Sequence, residues 1–452
     1  MPSNNLSRSQ YALLSLPATA MGFALCVQIS ALSWILNTQY GLNLEEIGLV
    51  WLAGPLAGIL GQVIVGVVSD NVWFMGGRRR PFIVIGGTIA ALMILALPFL
   101  DVISEGMGVA AIATVALTVA LTLDLAINIS FNPARSVIAD VTPEGEARTK
   151  GFTIMQTISG AFGVGAYLVA VIFNNYALIY LGAIIVFLFS VIPPFFITEP
   201  RSLDAAAEQE AEGMSAAAMD STIDDVAIPK NSMKLNRGTD WPEFLKICFA
   251  HAFTWVGVQT MFIYTFGYIK SNIMGFDVNA ELDPETNDLI GKQIGIAFAV
   301  LNTVGFLLPA LVLEPIARKI GRVKTHAIAI AISAVGYLLI VLFGYTSIYA
   351  FGALMAVVGI GWAAIVSLPF AIMTETVDQR KMGLMMGLFN LSVVLPQVVA
   401  SLLGGYIEHA ADKSLIYMIS TGTLAVSAAL WLLVREQHSG VVGAAAGAGG
   451  SH

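Results

Sequence analysis

An all-α integral membrane protein, with twelve transmembrane helices in two six-helix halves, is the fold class this sequence predicts. Composition is the first reason. Of 452 residues, 57% are hydrophobic and 12% charged, whereas a soluble chain carries about a quarter charged residues; mean hydropathy is +0.80. Recurrence is the second: apolar runs able to cross about 30 Å of hydrocarbon return along the whole chain. The third is that Lys and Arg collect in alternate loops. The net charge of −8 is modest and selects no partner. The two cysteines, Cys26 and Cys248, lie in apolar runs and read as small core residues, neither a disulfide nor a metal site.

The first span covers 11–36. Ala18-Thr19-Ala20 resembles a signal-peptide cleavage site, but Pro17 interrupts the run before it and apolar residues continue to Leu36, so this is a retained helix. The remaining spans are placed at 45–69, 81–100, 108–139, 151–173 and 176–198, then at 243–270, 290–314, 324–343, 346–374, 382–406 and 414–435. Only helices cross repeatedly, because each satisfies its own backbone hydrogen bonds. One set of loops carries Arg78, Arg79, Arg80, Arg148, Lys150, Arg318, Lys319, Arg322, Lys324, Arg380 and Lys381. The opposite set carries Glu45, Glu46, Asp101, Glu105, Asp277, Glu281, Asp283, Glu285 and Asp288. That asymmetry puts the basic loops and both termini in the cytoplasm. The expected organisation is a six-helix bundle over 1–198, a polar cytoplasmic linker over 199–242, a second bundle over 243–438 and a flexible tail over 439–452.

The halves echo each other. "NPARSVIADVTPEGEARTKGF" follows span four and "LPFAIMTETVDQRKMGLMMGLFN" follows span ten. Each has a Pro, then an acid (Asp140, Glu375), a basic residue (Arg148, Arg380) and a Gly opening the next helix (Gly151, Gly383). The loops after spans two and eight, "GVVSDNVWFMGGRRRPF" and "LEPIARKIGRVKTH", also correspond, which suggests a parallel duplication.

Span four holds the least expected residues. Asp124 falls near its middle, where an aspartate costs about 2.5–3.5 kcal/mol on insertion scales. Arg135 follows eleven residues later, on nearly the same face but displaced about 16 Å along the axis, out of direct bonding reach. Asn128 and Asn132 fill the stripe between them. An Asp-Asn-Asn-Arg face is a polar wall and belongs inside a bundle; Arg135, at its inner end, either sits deep, binding substrate or biasing Asp124, or snorkels to the inner headgroups.

Twelve spans, a central linker and Gly66…Ser69-Asp70…Gly77-Arg78-Arg79 resemble the major facilitator superfamily. "VQISALSWILNTQYGL", "WLAGPLAGILGQVIVGVVSD", "GRRRPFI" and "LDLAINISFNPARSVIADVTP" resemble, more closely, its glycoside–cation symporters and the sucrose–proton branch that includes plant sucrose transporters and bacterial maltose/sucrose permeases. The resemblance spans the chain by layout, with the diagnostic motifs mostly within 22–163. It implies the major facilitator fold, with spans one, four, seven and ten lining a cavity, and casts Asp124 as the proton-carrying acid with Arg135 as its companion. The physics agrees. Burial disfavours the ionised carboxyl, so it can take up a proton on one side and release it on the other. A proton falling through about 100 mV delivers about 2.3 kcal/mol, enough for roughly fifty-fold accumulation of a neutral sugar.

A sugar site needs hydrogen-bonding side chains for hydroxyls and aromatic faces for the ring. Gln28 and Trp34 in span one, Asn128 and Asn132 in span four, Gln156 in span five, Trp255 and Gln259 in span seven and Trp362 in span ten are the candidates. His251, on the Trp255–Gln259 stripe, reads as structural. Asp70, Arg78 and Arg79, with the echoed Asp140, Arg148, Glu375 and Arg380, are candidate gating charges. No G-x-x-x-x-G-K-[ST], H-E-x-x-H, cysteine cluster or nucleophile elbow occurs, so neither ATP drive nor an enzyme is expected. The expectation is a monomeric proton symporter of the plasma or bacterial inner membrane. Its cargo would be a neutral α-linked disaccharide, maltose or sucrose, with no cofactor beyond the coupling proton and no nucleic-acid partner. Sodium coupling and a transport-like sugar sensor are the alternatives; a lone buried carboxylate favours protons, because Na⁺ sites gather several oxygens.

Overall fold

The computed structural model describes residues 6–58, 73–142, 146–199, 238–377 and 382–436. The helices of the first half that follow the expected spans are α1 (Arg8–Thr38), α2 (Leu44–Trp51), α3 (Arg80–Ala96), α4 (Ile112–Val141), α5 (Glu146–Ile172) and α6 (Asn175–Phe195), with a short helix Leu100–Met107 after α3. Those of the second are α7 (Trp241–Tyr268), α8 (Pro284–Leu308), α9 (Arg322–Phe343), α10 (Ile348–Thr376), α11 (Met382–Leu402) and α12 (Leu415–Trp431). Among the described residues, ten helices are long and apolar enough to cross a membrane, and α12 is a shorter apolar one. The second expected span is helical over most of 44–58; its remainder, like 200–237 of the linker and the tail after 436, lies outside the described residues.

Local chemistry sets the helix starts. Ser7 and Asn43 cap α1 and α2 with reciprocal boxes through Gln10 and Glu46. Asn174, Asp240 and Ser347 accept from the third backbone N–H of α6, α7 and α10. α8 begins six residues before the expected span, because Asp283 caps Thr286 and Pro284 sits at the first helical position. The acids Glu285 and Asp288 make this turn read as loop in the sequence. Bonds from the Thr286 hydroxyl and backbone hold the Asp283 carboxyl below the usual range. Proline marks the other end: Pro309 opens a π-helical turn, Pro309–Leu313.

Packing differs between the two ends of the bundle. At the end bearing the acidic loops, one hydrophobic cluster draws on both halves, joining Val27, Leu32 and Leu36 of α1 to Phe262, Tyr264 and Phe266 of α7. At the end bearing the basic loops, each half keeps its own cluster. One contains Leu14, Ile83, Val137, Ile138 and Ile197. The other contains Phe244, Val323, Met373, Phe389 and Trp431.

Candidate functional site

Asp124 lies midway along α4 and is only 5% exposed. Gln28 Nε2, on α1, donates to its Oδ2 at 3.0 Å. A hydrogen bond to a charged group contributes about 1.5–3 kcal/mol, so this bond offsets part of what burial costs the carboxylate. Asn128 turns its Nδ2 back to the Asp124 carbonyl at 2.8 Å. Exposure then rises along the stripe: Asn128 and Asn132 are half-buried and Arg135 is exposed. The Arg135 guanidinium lies 3.9 Å from the centroid of the Phe131 ring. The polar face therefore leads from a buried acid at mid-helix to an open cation towards the basic end.

The remaining candidates divide into three groups. Trp255 and Trp362 meet edge to face, centroids 6.2 Å apart, on α7 and α10; both are half-buried, and Gln259 is buried one turn beyond Trp255. Gln156 is exposed on α5. Trp34 belongs elsewhere. It is 1% exposed, donates its indole N–H to the Asn287 carbonyl at 2.7 Å and packs edge-on to Tyr176. That places it in the seam between the halves at the acidic end, away from Gln28 and Asp124.

Three further hydrogen bonds close this seam. Ser33 Oγ reaches the Ile263 carbonyl at 2.9 Å, Lys270 Nζ reaches Asn37 Oδ1 at 2.9 Å, and the Leu44 N–H reaches Glu408 Oε2 at 2.9 Å. Gly48 makes the approach possible: a Cβ there would collide with the Ser401 carbonyl oxygen and the Tyr264 hydroxyl. In the sequence Lys270, like Lys292 and Lys413, is a basic residue near the acidic ends that breaks the charge pattern; its Asn37 partner is 233 residues away in the chain.

At the basic end the charges hold each half to itself. Asp140 Oδ2 accepts from Arg78 Nη2 and Arg79 Nε, each at 3.1 Å. Glu199 accepts the backbone N–H groups of Arg78, Arg79 and Arg80 at 2.7, 2.7 and 2.8 Å. The second half repeats the device: Arg322 pairs with Glu375, and Glu436 accepts the backbone N–H groups of Arg322 and Val323. In the sequence Glu199 reads as the first linker residue and Arg322 only as one of the basic loop charges, while Glu436 carries no role. The signal is present: each acid closely follows the last apolar run of its half, in "ITEP" and "VREQ". Glu314, in the second-half loop that echoes the first, pairs instead with Arg318 on the exposed face of its own helix. Asp70 and Arg380 lie outside the described residues, as does the side chain of Arg148.

A helical membrane bundle sealed at one end by polar links between its halves, with a buried carboxylate at its centre, defines a transporter. The sequence profile of the Major Facilitator Superfamily matches residues 14–396 and 282–450, and the chain belongs to that family; it is a membrane transporter, not an enzyme. The chain is 24% identical over 440 residues to the sucrose transport protein SUC4 of Arabidopsis thaliana, covering 88% of this chain and 84% of the relative. It is 23% identical over 491 residues to the sucrose transport protein SUT5 of Oryza sativa subsp. japonica, covering 96% and 89%. A shorter match, 38% over 84 residues, joins 17% of this chain to 14% of a general alpha-glucoside permease of Schizosaccharomyces pombe. Among solved structures, the inward open conformation of the xylose transporter XylE from E. coli superposes with a TM-score of 0.68 at 15% identity, covering 96% of this chain and 97% of that one. The nucleoside transporter NupG superposes with a TM-score of 0.64 at 14% identity, covering 94% and 98%.

Proposed function

We propose that this chain is a proton-coupled symporter that imports a neutral α-linked disaccharide, maltose or sucrose, by alternating access between its two six-helix halves. One observation carries the reading: a carboxylate, Asp124, buried midway along α4 and engaged across α1–α4 by a neutral amide, Gln28. A protonated Asp124 offers a donor where the carboxylate offers only acceptors. Loading and unloading of one proton therefore changes what Gln28 and an incoming sugar hydroxyl can bond. Asn128 and Asn132 extend the hydroxyl-binding face, Gln156 and Gln259 flank it, Trp255 and Trp362 give the aromatic wall, and Arg135 biases the stripe electrostatically. The resemblance to plant sucrose transport proteins supports a sugar cargo.

The basic loops and both termini face the cytoplasm of a plasma or bacterial inner membrane. The seam through Trp34, Lys270 and Glu408 is then the closed outer gate, and the separately packed basic end is the open inner one. Domain limits follow the halves: 1–198, the linker 199–242, 243–438 and the tail 439–452.

The test uses purified protein in proteoliposomes with an imposed pH step and a panel of radiolabelled sugars. Asp124→Asn should abolish uphill uptake, a loss of about fifty-fold in accumulation at 100 mV, while sugar exchange at equal concentrations persists. Full accumulation by this variant would overturn proton coupling through Asp124.

A further inference from the structure

We infer that His251 is a positioning residue for sugar recognition: it holds the Trp255 indole in the orientation that builds the aromatic wall of the second half. The inference rests on the reading of Trp255 and Trp362 as sugar contacts. His251 is 1% exposed on α7. One helical turn on, Trp255 Nε1 donates to His251 Nε2 at 2.9 Å, with the two rings at 88°. An Nε2 that accepts is unprotonated, so the neutral imidazole carries its hydrogen on Nδ1, and an imidazolium could not hold the indole at all. The imidazole is itself fixed, stacked on the Phe389 ring of α11 with centroids 5.0 Å apart and planes 12° apart.

Beyond Trp255 the restraint continues. Trp362 meets Trp255 and also Phe262, the latter at 5.2 Å and 80°, in T-shaped contacts. Its back lies against Gly305, where a Cβ would come 2.5 Å from Trp362 Cδ1. Helices α7, α8, α10 and α11 therefore meet in one chain of contacts: Phe389, His251, Trp255, Trp362, Gly305. A rigid aromatic face binds a ring with little ordering cost, whereas a loose indole must be immobilised at each binding event. The bond fixes Trp255 through its only polar atom, so orienting the indole takes up none of its C–H surface. In the sequence His251 reads as structural because it lies near the start of span seven, on one stripe with Trp255 and Gln259; the bond to Trp255 gives it a positioning role.

The test separates positioning from packing. His251→Phe keeps an aromatic ring against Phe389 and removes the acceptor; His251→Gln restores an acceptor at similar reach. In proteoliposomes, H251F should raise the sugar KM roughly two- to ten-fold, the range of one neutral hydrogen bond, at unchanged kcat and unchanged proton-to-sugar ratio, and H251Q should recover the KM. Trp255→Phe removes the donor from the other side of the same bond, so H251F/W255F should be no worse than W255F alone. A wild-type KM in H251F beside a raised KM in Trp255→Ala would overturn the inference and leave the aromatic wall standing. Additive penalties in the double variant would also overturn it. A wild-type KM in Trp255→Ala would sink the wall and the inference together. Should H251F fail to fold, His251→Leu, which also removes the acceptor, replaces it, and the H251L/W255F pair decides on the same criterion of additivity.

Discussion

At the acidic end of the molecule, residues of both halves share one hydrophobic cluster and four hydrogen bonds described above cross between them. At the basic end, each half has its own cluster and its own ion pairs. The difference lies in what each contact costs to break. The acidic seam rests on single hydrogen bonds, each worth about 0.5–3 kcal/mol, on close backbone approach at Gly48 and on apolar contact. The basic end ties loops to helices within a half, where no rocking motion needs to break them. A transporter needs this division: links that yield between the halves, and links that do not within them.

Single substitutions at each end test this division. The largest effect is expected within a half. Arg78, Arg79 and Asp140 side chains are 8–9% exposed, and removing one member of a buried pair costs about 3–5 kcal/mol. Asp140→Ala should therefore lower the thermal unfolding midpoint of the purified protein markedly; an unchanged midpoint would place that clamp in a solvated, weakly coupled setting. Next comes the seam. Gly48→Ala forces a methyl into the Ser401 carbonyl and the Tyr264 hydroxyl, and overpacking costs about 1–3 kcal/mol, roughly 5- to 150-fold in a two-state ratio. A cysteine introduced at Thr38 should react faster with a membrane-impermeant maleimide in that background by a factor in this range, with the unfolding midpoint nearly unaltered. Equal labelling rates would mean that the acidic end does not open. The smallest effect belongs to the second half's clamp. Arg322 and Glu375 side chains are 43% and 27% exposed, and a pair so solvated contributes about 0–1 kcal/mol. Glu375→Gln should shift the midpoint far less than Asp140→Ala, and a shift of equal size would make the two clamps energetic equals despite their burial.

These expectations draw unevenly on what is legible in the chain. Span positions come within a few residues because apolar length is a local property, and the start of α8 is missed because its acids cap a helix instead of lying in a loop. Both basic-end clamps are half visible: the echo locates Asp140 and Glu375 but not Glu199 and Glu436, which lie 121 and 114 residues from the loops they cap. Trp34 reads as a sugar contact from its type and span, yet its neighbour is Asn287, 253 residues away.

The helical class, the alternation of acidic and basic ends and the polar stripe of α4 are legible in the chain, because hydropathy, charge and the 3.6-residue period act over a few turns of one helix. Helix packing sets the rest: that Gln28 faces Asp124, that His251 holds Trp255, that Lys270 reaches Asn37 and that, among the described residues, the two halves share a core at the acidic end and not at the basic one. Most of those are pairings between helices far apart in the chain, and the bond within α7 depends on the Phe389 ring that fixes the imidazole from α11. Each side chain's partner is chosen by how the apolar helices pack, which no local pattern encodes.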